Sequence, residues 1–277
     1  MHYSLGIDAG GTYTDAVLIR DSDSAIVAIN KALTTYPDLL TGIKNVIEAL
    51  SPEYLKNVKL VSVSTTLSTN TILEGTGFPV ALILIGEHPL EKKLPTEYVL
   101  FASGGHNHNG EEVAPLDLQA IEKFSLQVKN KVSAFAISSY FSIRNPEHEI
   151  KARDKILELT GLPSVCGHEL SQELGAYERA VTAFLNAQLI PITRQFIQSI
   201  ILEIKQRKID ARILMLKCDG SIVGIKDALK KPIETIFSGP AASLVGASYI
   251  SGLKTCAVID VGGTSTDISS ICNGFQI

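Results

Sequence analysis

The sequence has no paired cysteines, no basic run, no hydrophobic stretch of membrane-spanning length and no low-complexity linker. Each absence removes a class of protein. Cys166, Cys218, Cys256 and Cys272 are scattered, with no C-x-x-C pair and no His-Cys metal spacing, so a disulfide framework and a zinc module are excluded. They read as reduced thiols beside apolar or small neighbours, and nothing around Cys218 marks it as a nucleophile. A formal net charge of −4 without a basic cluster argues against nucleic acid and against a polybasic membrane contact. Apolar runs such as Val80–Ile85 and 134–137 stop far short of the ~20 residues a spanning helix needs. Met1-His2-Tyr3-Ser4 runs straight into a strand-like stretch and shows no signal pattern, so a cytoplasmic protein is expected.

What is present is a core-forming composition. The 277 residues are 45% hydrophobic and 19% charged, enough for one large domain or two smaller ones. Apolar periodicity predicts strands over 3–8, 14–20 and 25–33, with Asp21-Ser22-Asp23-Ser24 as the turn between the last two. Pro37 and Asp38 suit the first turn of a helix running to about Leu50, followed by a strand over 59–64, a short helix over 67–73 and a strand over 80–85. Further on, helices are expected over 116–128 and 146–159 around a buried strand at 133–138. A long helix over 174–207 contains Pro191, and it is followed by a strand at 212–216, a helix at 240–250 and a strand at 257–260. Strands alternating with helices predict an α/β layer fold with parallel pairing in mid-sheet.

One internal repeat outweighs these element assignments. Asp8-Ala9-Gly10-Gly11-Thr12-Tyr13-Thr14-Asp15 recurs as Asp260-Val261-Gly262-Gly263-Thr264-Ser265-Thr266-Asp267. Both copies read as strand, D-x-G-G-T-x-T-D, strand, which implies a pseudo-symmetric pair. A single Gly-Gly is accounted for by a β-turn. Two copies with the same aspartate spacing point to more. Glycines let backbone N–H groups approach an anion, and Thr12 and Thr264 add hydroxyl donors. Asp8 and Asp260, at strand ends, are candidate catalytic groups and candidate ligands for Mg²⁺. Facing hairpins would clamp the β- and γ-phosphates of ATP through Gly10, Gly11, Thr12 and Thr14 in one copy and Gly262, Gly263, Thr264 and Thr266 in the other. Asp15 and Asp267 would brace the turns by accepting backbone or threonine hydrogen bonds. No Walker loop or dinucleotide fingerprint is present.

Other candidates compete with structural roles. Thr65, Thr66 and Asn70 follow a buried strand and open a helix, where threonine capping and substrate contact are both open. His106 and His108 lie in a Gly/Asn-rich loop that reads as solvated, with substrate or metal contact as the alternative. His148, Glu147 and Glu149 suit a helix first turn. Arg179 either ties its helix to the sheet or reaches an anionic substrate.

At these residues the chain resembles the hydantoinase A/5-oxoprolinase family, within the actin, sugar-kinase and Hsp70 ATPase superfamily. Besides the hairpins, the resemblance rests on Thr65-Thr66-Leu67-Ser68-Thr69-Asn70, Gly104-Gly105-His106, Asn145-Pro146-Glu147-His148-Glu149, Glu173 to Ala187 and Ser238-Gly239-Pro240-Ala241. It implies a ribonuclease H-like, actin-type ATPase fold: a mixed β-sheet with helices on both faces. The first domain is expected over 1–253, and 254–277 as the first hairpin of a second domain continuing beyond a fragment. It implies ATP and Mg²⁺ as cofactors and a cyclic amide as substrate, contacted by Thr65, Thr66, Asn70, His106 and Arg179. A hydantoinase B-type subunit, or the rest of the same chain, would be the partner. Rival readings are an ATP-binding ketone carboxylase subunit, a small-molecule kinase and a non-catalytic nucleotide-sensing subunit.

Overall fold

Strict alternation places Tyr3, Leu5, Ile7 and Ala9 on one buried face of the first strand, β1 (Tyr3–Ala9). In the computed structural model, which describes residues 1–35, 38–88, 93–262 and 266–276, β1 pairs antiparallel with β2 (Tyr13–Arg20), and β2 with β3 (Ala25–Leu33). The chain then forms α1 (Leu39–Glu48), the short α2 (Pro52–Leu55), β4 (Val58–Thr65) and α3 (Leu67–Leu73). Asp38 caps α1, its carboxylate accepting from the Leu40 N–H; Pro37, expected at the helix start, lies outside the described residues.

Two compact units emerge: residues 1–75 with 192–277, and residues 76–191. The second unit holds β5 (Val80–Ile85), β6 (Val99–Ala102), α4 (Leu118–Val128), β7 (Ala134–Ser139), α5 (Glu147–Thr160) and β8 (Ser164–Cys166). Its four strands are all parallel, in the order β6-β5-β7-β8. Every residue of β5 and β7 is buried, because helices cover both faces. One face packs Ile83, Ile85, Phe135 and Ile137 against Ile121 and Ile156 of α4 and α5. The other packs Leu82, Leu84 and Ala136 against Ala183, Phe184 and Ala187 of α6 (Ala176–Gln206). This helix runs unbroken through Pro191, the residue at which the two units divide.

The chain returns to the first unit with β9 (Arg212–Leu216), β10 (Ile222–Gly224), α7 (Ile225–Ala228), α8 (Ser238–Ser251), β11 (Cys256–Val261), β12 (Thr266–Cys272) and β13 (Phe275–Gln276). Its main sheet has the order β10-β9-β4-β1-β2-β3, with β1, β4 and β9 parallel and β2 reversed. Leu5, Ile7, Leu18 and Val61 pack there against Ile43 and Ile47 of α1 and Phe196 and Ile200 of α6. α8 lies on the sheet's opposite face, where it meets β4 and β9 as well as β11 and β12. This is the mixed sheet, covered on both faces, of the ribonuclease H-like, actin-type fold. The strand and helix ranges predicted from periodicity hold to within a few residues. The short strands β6, β8, β10 and β13 are additions, each too brief to establish a period.

Candidate functional site

Both hairpins form in the same register. Asp8 stands opposite Asp15 in the first, and Asp260 opposite Asp267 in the second. In the first turn the Gly10 N–H donates to the Tyr13 carbonyl at 2.9 Å, and a Cβ on Gly10 would lie 2.9 Å from that same oxygen. Glycine is therefore a steric requirement there. The turn is braced by Thr34, whose hydroxyl donates to the Gly10 carbonyl (2.8 Å), meets the Thr14 hydroxyl (3.0 Å), and whose N–H donates to Thr12 O (2.9 Å). Asp15, expected to do that bracing, instead pairs with Lys31 of β3 at 3.2 Å. Gly262 and Thr266 flank the second turn, while Gly263 and Thr264 lie outside the described residues.

The two aspartates meet along α8. The Ser238 hydroxyl, fully buried, accepts from the Thr65 N–H (3.1 Å) and donates to the Thr65 carbonyl (3.0 Å), docking the helix start on the end of β4. Phe237 precedes it at φ 60°, a left-handed conformation unusual for an aromatic residue, with its N–H on Thr69 Oγ1 (2.9 Å). A Cβ on Gly239 would come 3.7 Å from an Asp8 carboxylate oxygen and 2.8 Å from the Thr66 methyl. Four residues on, about one helical turn, the Ser243 hydroxyl donates to Asp260 at 2.7 Å. The first turn of α8, with the helix's partial positive charge, thus lies beside Asp8, and its second turn holds Asp260.

The electrostatics follow from this crowding. Burial holds the Asp8 carboxyl above the ordinary carboxylate range, partly opposed by the Ser64 hydroxyl that donates to it at 2.6 Å; Asp15 and Asp260 add to the rise. Burial, and then Asp260, likewise push Asp267 upward. A cavity of about 390 Å³ adjoins the start of α8, lined by Phe237, Pro240, Cys218, Asp267 and Ser269. The Thr66 hydroxyl is buried without a hydrogen-bond partner among the described residues. The Thr65 hydroxyl is fully used, donating to Ala9 O and accepting from Leu67 N. Asn70 lies partly buried on α3.

His106 and Arg179 belong to the second unit. Arg179 is buried and donates to the carbonyls of Glu173 (2.8 Å) and Ser139 (3.2 Å), joining α6 to the end of β7. The histidine loop departs from the solvated character its composition predicts, because His106 is only 3% exposed. Its ring packs at 4.4 Å on that of His148, which accepts from the Gly105 N–H and hydrogen-bonds Glu112. Glu149, Cys166 and His168 bring three donor atoms within 4.8 Å. That trio does not suit a metal: Glu149 already accepts from the N–H groups of Ser139 and His168 and contacts the His168 ring, and burial pushes the Cys166 thiol up. No helix among the described residues is long and apolar enough to cross a membrane.

Sequence reasoning missed Thr34, Ser64 and Ser243. Their signal is tertiary: each reaches a motif residue from another element.

The chain is similar to known proteins along nearly its whole length. The family model "Hydantoinase/oxoprolinase N-terminal region" matches residues 4–160, and "Hydantoinase/oxoprolinase" matches 179–276. An uncharacterized protein of Methanocaldococcus jannaschii is 30% identical, over 99% of this chain and 44% of its own length. Caprolactamase subunit alpha of Pseudomonas jessenii is 28% identical over 96% of this chain and 43% of its own. The nucleotide-free structure of acetone carboxylase, 22% identical, covers 98% of this chain and 44% of that one with a TM-score of 0.84, a likeness of fold alone. The chain therefore spans less than half the length of these relatives. Matched by both models along almost its whole length, the chain belongs to the hydantoinase/oxoprolinase family.

Proposed function

We propose that this chain carries the phosphate-gripping site of an ATP-dependent enzyme that opens a cyclic amide. The observation behind the reading is that the aspartates of two like hairpins both touch the first turns of α8. Backbone N–H groups of Gly11 and of the Gly262-Gly263 turn, with Thr12, Thr264 and Thr266, would hold the β- and γ-phosphates, while Gly10 shapes the first turn and Thr14 supports it from the buried face. The unpartnered Thr66 hydroxyl is a further donor beside Asp8. A divalent cation fits the same carboxylates, since burial and mutual repulsion disfavour the ionised form of Asp8 and a cation would relieve both. Asp8 and Asp260 would hold Mg²⁺, which would neutralise phosphate charge.

The chemistry suits a poor electrophile. The amide oxygen attacks the γ-phosphorus as the bond to ADP breaks. Water then adds to the activated carbonyl carbon with loss of a proton, the ring C–N bond breaks as nitrogen takes a proton, and a second water hydrolyses the resulting acyl phosphate to carboxylate and phosphate. The protein's part is alignment and exclusion of premature water. We further propose that residues 254–277 open a second domain, supported by the exposed Ile259, Val261 and Ile268 on the outer face of β11 and β12. That the caprolactamase match is to one subunit of an enzyme supports a partner subunit, or further chain, over that face.

The test is calorimetric titration of the whole protein with MgATP, followed by ADP release with hydantoin, 5-oxoproline and ε-caprolactam. Asp8→Asn and Asp260→Asn should each abolish binding while circular dichroism stays unchanged. Undiminished MgATP affinity in both variants contradicts the reading.

A further inference from the structure

The second unit carries an independent set of observations at the carboxyl ends of its strands. In the order β6-β5-β7-β8, the chain leaves β5 for one neighbour and later supplies β7 on the other side, so the switch in winding falls between β5 and β7. Parallel sheets bind ligands in the crevice such a switch opens. A cavity of about 570 Å³ lies there, bordered by residues that directly follow β5, β6 and β7: Gly86, Ser103 and Tyr140.

Its lining is specific. Phe101, Tyr140 and Phe141 supply aromatic walls. Phe101 is 53% exposed, a large apolar surface left open to the cavity side of an edge strand, and Tyr140 stands edge-on to Phe141 with ring centres 4.7 Å apart. Backbone of Gly104 and Gly105 adds to the lining: Gly104 has φ 142°, and a Cβ there would lie 2.8 Å from Ile85 Cγ2, so only glycine lets the loop pack this closely on the end of β5. His106 adds a polar edge, and burial, then His148, keeps its imidazole below the usual histidine range.

One lining residue carries an unsatisfied polar atom: His106 Nδ1 is buried without a partner among the described residues. A buried group left unpaired calls for a cause, and a ligand or its ordered waters is one. Among the described lining residues Glu87 is the one formal charge, so no cation is present to hold a phosphate or carboxylate.

We propose that this cavity is a second binding site, separate from the aspartate hairpins, for a small uncharged ring that carries a planar amide as its hydrogen-bonding edge. The ring stacks on the aromatic walls, and its edge meets His106 and the glycine backbone. The site rests on the second unit alone; taking its occupant to be the ring amide that is opened rests on the reading proposed above.

The experiment measures hydantoin and ε-caprolactam binding to the whole protein by saturation-transfer NMR and calorimetry. Both rings should bind, with saturation arriving from aromatic protons. Phe101→Ala should weaken binding about tenfold, roughly the loss of one stacking wall, and Ala114→Trp, which fills the cavity, should abolish it. Both variants should keep the MgATP response, and Asp8→Asn should lose that response yet keep ring binding. Should Ala114→Trp misfold, Phe101→Ala decides. Binding of neither ring to the wild type, or ring binding unchanged in Phe101→Ala, overturns the proposal. Ring binding that depends on Phe101 without any MgATP response upholds this site and removes the nucleotide reading instead.

Discussion

The same eight-residue pattern occurs twice, and its two copies differ in nearly everything except their own shape. Ile7 and Ile259 occupy the same place, one residue before the leading aspartate, yet Ile7 is 2% exposed and Ile259 64%. The first hairpin is built into a six-stranded sheet whose face is covered by α1 and α6. The second lies in a three-stranded sheet with only its inner face on α8. Both nevertheless keep aspartate opposite aspartate. The hairpin is therefore a local instruction, written in Gly-Gly and strand alternation, whereas burial is a gift of surroundings. In both copies the aspartate face, and not the isoleucine face, turns toward α8.

The largest expected effect breaks this comparison at its sharpest point. Ile7→Ala should destabilise the protein by about 3 kcal/mol, as a core truncation does, while Ile259→Ala in this chain should change stability by less than about 0.5 kcal/mol; urea unfolding measures both. Equal losses would mean that the second hairpin's outer face is covered after all. Next, Gly10→Ala drives a Cβ to 2.9 Å from a backbone oxygen and should cost about 2 kcal/mol, read from the same unfolding curves. Thr34→Val removes the brace on Gly10 and Thr14 and should cost about 1 kcal/mol, with faster amide exchange confined to the first turn.

The smallest effect is one of pH. Because the folded Asp8 carboxyl lies above its unfolded value, its favourable contribution is full below the ordinary 3.8 and is lost as pH rises through the folded value. Asp8→Asn should therefore stabilise the ligand-free protein at pH 7, and the gain should fade toward pH 3. Asp267→Asn should show the same sign with smaller size, since Asp267 is less enclosed. Thermal unfolding across pH checks both.

Much of this was legible in the residues. The matched aspartate spacing announced two like hairpins, and the apolar run at 134–137 announced a buried strand. What stayed hidden was tertiary. Thr34 reads as the polar end of a strand, and nothing local says that its hydroxyl reaches Gly10. His106 sits among glycines and asparagines that read as a solvated loop, yet packing on His148 buries it. β6 is four residues long with one partly exposed face, too little for periodicity to register.

In the function proposed for this chain, both turns hold one nucleotide. Hydrogen exchange of the whole protein with and without MgATP tests it directly. Amides of the Gly10–Thr14 and Gly262–Thr266 turns should slow together, and Asp8→Asn or Asp260→Asn alone should erase protection at both. Slowing at one turn only, or at neither under saturating MgATP, contradicts it.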